Sequence, residues 1–151
     1  MKKLLPLLFL VSTLCALPVL RGQELSPAFT PPPGDPIAIL AMPAGMDQSK
    51  VSVAVSKALV EEQWENLGWE RNVTTATTVQ SKITIKVYAV ATAADVKFYA
   101  NFTSDKEVPE DKFKRLAQRQ IGYLEKTIAT KLNLSFKKAK GDSMVDQAVG
   151  D

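Results

Sequence analysis

The side chains of this chain that are able to do chemistry are few in kind. Its 151 residues include no histidine and a single cysteine, Cys15. A Ser-His-Asp or Cys-His unit, a His-ligated zinc ion and a haem with a His axial ligand are therefore excluded by composition. Carboxylate, lysine or tyrosine chemistry remains, or binding without chemistry. The carboxylates form two groups. Glu61, Glu62 and Glu65, with Glu70 nearby, lie on a predicted helix and its end; Asp105, Glu107, Glu110 and Asp111 lie at a loop and a helix start. An oxygen-rich cation loop needs convergent ligands with a turn residue between them. A solvated helix face accounts for the first group. Helix capping and the helix dipole account for the second, with weak Ca²⁺ binding as its alternative. No cofactor is expected. Asn72-Val73-Thr74, Asn101-Phe102-Thr103 and Asn133-Leu134-Ser135 fit the glycosylation acceptor pattern, which is short and common enough to arise by chance.

Another candidate surface comes from a pair of alternating segments. Ile83, Ile85, Val87 and Ala89 alternate with Lys82, Thr84, Lys86 and Tyr88. After Thr92-Ala93-Ala94-Asp95, Val96, Phe98, Ala100 and Phe102 alternate with Lys97, Tyr99, Asn101 and Thr103. Period-two alternation on both sides of a short loop predicts an antiparallel hairpin with one dry face. Sharing that face fixes the register, because a one-residue slip turns one apolar set outward. Ala89 is then opposite Phe98, Val87 opposite Ala100 and Ile85 opposite Phe102. On the other face Tyr88 meets Tyr99 and Lys86 meets Asn101. That polar and aromatic face is either an ordinary wet face or a contact surface built on Lys86, Tyr88, Lys97, Tyr99 and Asn101.

The rest of the chain supplies what must hold this hairpin. Residues 23–36 contain Pro27, Pro31, Pro32, Pro33 and Pro36 and predict an extended, disordered linker. Ile37 to Met42, between Pro36 and Pro43-Ala44-Gly45, reads as a buried strand. Asp47 or Ser49 caps a helix carrying Val51, Ala54, Val55, Ala58 and Leu59 on one stripe. This helix ends near Glu62 or runs on to stop at Gly68; the second ending is preferred. The Thr-rich stretch from Trp69 to Thr78 predicts one strand. Trp64 and Trp69 either close a small core, the favoured reading, or line a ligand groove. A last helix starts near Pro109 and places Phe113, Leu116, Ala117, Ile121, Leu124, Ile128 and Leu132 on one stripe, with Glu125 outside it. The result is a single α+β domain over 37–136, a mostly antiparallel sheet packed on two helices in two layers, in the order β-α-β-β-β-α. A polar, disordered tail covers 137–151.

The first twenty-two residues differ from the rest. Lys2 and Lys3 precede an apolar stretch from Leu4 to Leu20 broken by Pro6 and Pro18, and Arg21-Gly22-Gln23 returns to polar chain. This is the profile of a cleavable secretory signal rather than of a membrane anchor, which needs about 20 unbroken apolar residues. The cut is placed after Gly22, with Ala16 as the alternative. Lipidation at Cys15 requires a small residue before it, and Leu14 stands there, so a lipid anchor is the alternative to a periplasmic or secreted protein. The net charge of +3 belongs to Lys2, Lys3 and Arg21; from Gln23 onward sixteen basic residues face sixteen acidic ones. Nucleic-acid binding by phosphate neutralisation is not expected of such a chain.

Ala58-Leu59 followed by Trp64 or Gly68-Trp69, then Ile83-Thr84-Ile85, Val96-Lys97-Phe98 and Leu124-Glu125-Lys126-Thr127-Ile128, resemble an uncharacterised family of small exported bacterial proteins, many described as lipoproteins. The resemblance covers about residues 37–134. In that family the first helix ends in a Gly-Trp step, the strands follow an apolar-x-apolar pattern, and the last helix carries a Leu-x-x-x-Ile spacing. Its Tyr-Asn-x-Trp segment is absent here, where Ala117 and Gln120 take the aromatic positions, and Asn101 replaces a serine. The resemblance implies the topology and an exported location, and it carries no activity.

The sequence thus points to a non-enzymatic accessory domain that binds an envelope protein or glycan through the sheet face. One alternative is a small carboxylate-dependent hydrolase of envelope polymer, with two carboxylates within about 10 Å across a cleft. Another is a structural, oligomer-forming module with an exposed apolar strand edge or helix stripe.

Overall fold

A computed structural model describes residues 25–134. The predicted signal over 1–22, Cys15 and the polar tail over 137–151 lie outside the described residues. The elements are β1 (Ala38–Ala41), α1 (Gln48–Glu61), β2 (Glu65–Glu70), β3 (Val73–Gln80), β4 (Ile83–Ala91), β5 (Asp95–Ser104) and α2 (Glu110–Lys131). All five strands form one antiparallel sheet in the order β1-β5-β4-β3-β2. Both helices pack on one side of it, α1 over β2, β3 and β4, α2 over β1 and β5, and on each other. The two-layer α+β architecture is the one the sequence predicts. No helix among the described residues is long and apolar enough to cross a membrane.

The β4–β5 hairpin has the predicted register, with Ala89 opposite Phe98, Val87 opposite Ala100, Ile85 opposite Phe102 and Tyr88 opposite Tyr99. Ile85, Val87, Ala89, Val96 and Phe98 are buried against the helices. The turn is fixed by Thr92, whose hydroxyl donates to Asp95 Oδ1 at 2.9 Å and accepts from the Asp95 backbone N–H at 2.9 Å. Between β3 and β4, Ser81 and Lys82 both take positive φ, 52° and 66°, as a two-residue hairpin turn twisted with its strands requires. Val51, Ala54, Val55, Ala58 and Leu59 of α1 are buried, as are Phe113, Ala117, Ile121, Leu124 and Ile128 of α2. Glu125, predicted outside that stripe, is buried too; α2 packs on α1 as well as on the sheet, which widens its buried arc.

Three expectations change. The preferred end of α1 at Gly68 is wrong. The helix ends at Glu61, Gln63 takes φ 58°, and the Trp64 and Gln63 N–H groups donate to the carbonyls of Leu59 and Val60 at 2.9 and 3.1 Å. This is a Schellman closure in which Gln takes the left-handed place usually held by Gly, with Trp64 and Leu59 buried together across it. The residues released form a strand that was not predicted, β2, which turns back at Arg71-Asn72 onto β3. Four strands therefore lie between the helices. Second, β1 is an edge strand buried on one face only: Ala38 and Leu40 face the helices, whereas Ile39, opposite Lys97 on the outer face, is exposed. Third, residues 25–36 are placed against the sheet rather than free of it.

Asp47 caps α1, its carboxylate accepting from the N–H groups of Ser49 and Lys50 at 2.7 and 3.3 Å. Those donors, Ser49 first, hold its carboxyl below the usual carboxylate range. A lowered native pKa stabilises the fold above the ordinary value and loses that effect as pH falls through the native one. Asp47→Ala should therefore lower the melting temperature at pH 7, and the gap to the parent should close in scans taken below the ordinary value of 3.8. A gap independent of pH would show that the charged cap contributes nothing.

Candidate functional site

The outer face of the sheet, opposite the helices, carries every residue predicted for a contact surface. Lys86, Tyr88, Lys97, Tyr99 and Asn101 all lie on it, and the cross-strand pairs Tyr88–Tyr99 and Lys86–Asn101 form as expected. The structure nevertheless closes part of this face. Leu25–Pro36 crosses it as a strap. The Ser26 N–H donates to Glu70 Oε2 of β2 at 3.4 Å, Lys86 Nζ of β4 donates to the Ala28 carbonyl at 3.1 Å, and the Ile37 N–H donates to the Phe98 carbonyl of β5 at 2.7 Å. A single 3-10 turn, Pro27–Phe29, lies on β3. The Phe29 ring rests on Gly68, where an added Cβ would come within 3.1 Å of it. A side chain there would have to push the Phe29 ring and Thr75 Oγ1 back by a few tenths of an ångström, so glycine favours the close approach.

Beneath the strap the face is dry. Val73 and Thr75 are buried, and Tyr88 is only 5% exposed, with Lys86 Nζ 5.0 Å from its ring centroid. Tyr88 is thus removed from the predicted contact surface, and Lys86 is engaged by the chain itself. The physical reason is the strap, whose prolines exclude helix and central strand but not docking in an extended form. Lys97, 3.7 Å from Asp95, stays partly open with Tyr99, and Asn101 is exposed.

The other candidate lies along the solvent side of α1. A trough of about 710 Å³ runs from Leu67, Trp69 and Arg71 of the β2 edge over Val53, Lys57 and Val60 of α1 to Lys131 of α2. Trp69 is 74% exposed, Val60 64% and Val53 51%. The two tryptophans therefore divide: Trp64, 4% exposed, closes the core as favoured, whereas Trp69 lines a groove. Glu61 is paired with Lys131, so Lys57 and Arg71 are the trough's cations without an ion-pair partner among the described residues. Val53 and Val60 were legible as apolar residues seven apart on the polar side of the helix. Trp69 was read with a groove only as the less favoured alternative to a core position, because its placement depends on where α1 ends.

Glu61, Glu62 and Glu70 have local partners, whereas the second acidic group supplies no cap: α2 starts after Pro109 without a side-chain cap hydrogen bond. Glu62 accepts from the Thr127 hydroxyl at 2.5 Å, and Asp105, Glu107, Glu110 and Asp111 are exposed. Among the described residues no group of three or more Asp, Glu, His and Cys side chains is arranged to hold a metal ion. No protein-family model, curated protein or solved structure matches the chain.

Phe29→Ala should free the strap. Amide exchange over residues 25–36 should rise and Tyr88 should become nitratable, read by peptide mass spectrometry. A Tyr88 still protected in that variant would mean that the ring is covered without Phe29's help.

Proposed function

We propose that this chain is an exported accessory domain of the cell envelope that binds a partner polypeptide and performs no reaction of its own. The leader-like residues 1–22 and the resemblance to small exported proteins support the location. The observation that carries the binding reading is Trp69, mostly exposed on the outermost strand and set beside Val53 and Val60. An exposed apolar cluster of this kind marks an interaction surface far more often than scattered apolar residues do, and tryptophan is the commonest anchor of binding energy.

The position of the cluster suggests the mode of binding. β2 pairs with β3 on one side only, so its other edge offers backbone donors and acceptors to an added strand. The bulge between Glu65 and Gly68, with Asn66 at φ 50°, confines regular pairing to the Gly68–Glu70 half. A segment laid there would drop alternate side chains into the trough. Lys57 and Arg71 favour carboxylates on that segment, so the partner chemistry is an extended, apolar and acidic peptide. Two copies joined through the same trough would set these cations against their own counterparts, which weighs against the oligomer-forming alternative. Lys97, Tyr99 and Asn101 remain as a second, more polar surface.

A photo-crosslinking residue at Val53 should trap one partner in the producing cell, and Val60→Asp should abolish the adduct without changing the circular dichroism, since Val60 faces solvent. Adducts obtained from position 99 and not from 53 would return the site to the sheet face. Their absence at both would overturn the binding reading.

A further inference from the structure

The first half of α2 carries a row of cations that neither the packing nor the trough uses. Lys112, Arg115 and Arg119 are exposed and fall within about 60° of arc at ~3.6 residues per turn. With half-buried Leu116 they line an open concavity of about 430 Å³, a size within the range of small-ligand sites. We propose that this concavity binds a compact phosphate-bearing anion, whether free or as the headgroup of a lipid.

Three observations carry the proposal. The first is the cost of the row. Arg115 and Arg119 are like charges one turn apart, an arrangement that weakens a helix, and the ion pairs Lys97–Asp95 and Lys131–Glu61 engage other cations. Arg115 Nε donates to the Asp111 carbonyl at 3.3 Å, which holds the guanidinium along the helix and takes one of its five donors. The second is charge density. The three cations fall within about 10 Å of helix at ~1.5 Å per residue. One phosphate ester brings up to two negative charges and three acceptor oxygens and matches the planar arginine fork, whereas carboxylates would have to be gathered one charge at a time. The third is extent. Glu110 and Asp111 stand at the N-terminal end of the row, and Glu61 and Glu62 share a concavity with Lys126 beyond its other end. A long polyanion or a broad anionic surface would run onto these carboxylates, so a short ligand is favoured. Arg119 lies about 18 Å along α2 from Lys131 at ~1.5 Å per residue, so a ligand here leaves the trough open.

Calorimetry and amide NMR test this in the protein as the producing cell processes it, with inorganic tripolyphosphate as the probe. Tripolyphosphate should bind and shift the amides of residues 112–119. Arg115→Glu should weaken binding by about tenfold or more at unchanged circular dichroism, the loss expected for hydrogen bonds to a charged group. Lys114→Glu makes the same change of net charge outside the row and should cost less than about twofold, since salt screens a charge that is not in contact. Equal losses in the two variants would overturn the proposal by showing only diffuse attraction. Citrate bound as tightly as tripolyphosphate would overturn the assignment to phosphate. Phosphatidylcholine vesicles carrying phosphatidic acid separate the two sources. Cosedimentation that Arg115→Glu abolishes assigns the phosphate to a headgroup; tripolyphosphate binding without cosedimentation assigns it to a soluble ester. Residues 112–119 that respond to neither probe would sink the site altogether.

Discussion

The fold depends on one constraint, that the apolar residues of β4 and β5 share a single face of the sheet. Ile85, Val87 and Ala89 stand opposite Phe102, Ala100 and Phe98, and most of this set is fully buried under the two helices. Each large side chain so buried stabilises the fold by about 1.5–3 kcal/mol relative to exposure. A slip of one residue would turn a whole strand's set outward. With that register fixed, β3 continues the sheet on one side and β1 on the other, and each helix takes a half of the inner face. β2 comes last, at the margin of α1. Its inner-face residues Leu67 and Trp69 are therefore only partly covered, and the trough exists because the helical layer ends before the sheet does.

The outer face follows a different logic. Its centre is neither a wet face nor a second core. The apolar and β-branched residues there, Val73 and Thr75 with the ring of Tyr88, are dry because Leu25–Pro36 passes over them. A proline-rich segment suits this work. It is extended without needing sheet partners, and its restricted backbone loses less entropy on ordering. Gly68 completes the fit by leaving room for Phe29. The domain thus presents two apolar surfaces of opposite kind, one closed by a segment before β1 and one open beside α1.

How much of this the residues disclose depends on whether a short-range pattern or a long-range contact decides the outcome. The hairpin register and the apolar stripe of α2 are written in spacings of two to four residues and form as read, except that Glu125 joins the buried arc; of the two caps offered for α1, Asp47 is the one used. The end of α1 is also local but ambiguous, since Gln63 rather than Gly68 adopts the left-handed conformation. What selects Gln63 is the burial of Trp64 against Leu59, a tertiary event. From that one choice came the missed strand β2, the single strand read across Trp69–Thr78, and the favouring of a core position for Trp69. The strap was illegible for another reason. Proline content tells what a segment cannot form, whereas its docking rests on Gly68, Glu70 and Lys86, some forty to sixty residues away.

The strand order has a consequence for how the chain comes together. β2 to β5 are joined by hairpins, and each meets its partner within a few residues of being made. β1 is the exception, for its only neighbour is β5. A polypeptide that emerges N-terminus first, from a ribosome or a translocation channel, presents Ile37–Met42 at the start and its mate more than fifty residues later. Until then an apolar strand has no place in any sheet. It is the stretch that a chaperone would have most reason to hold.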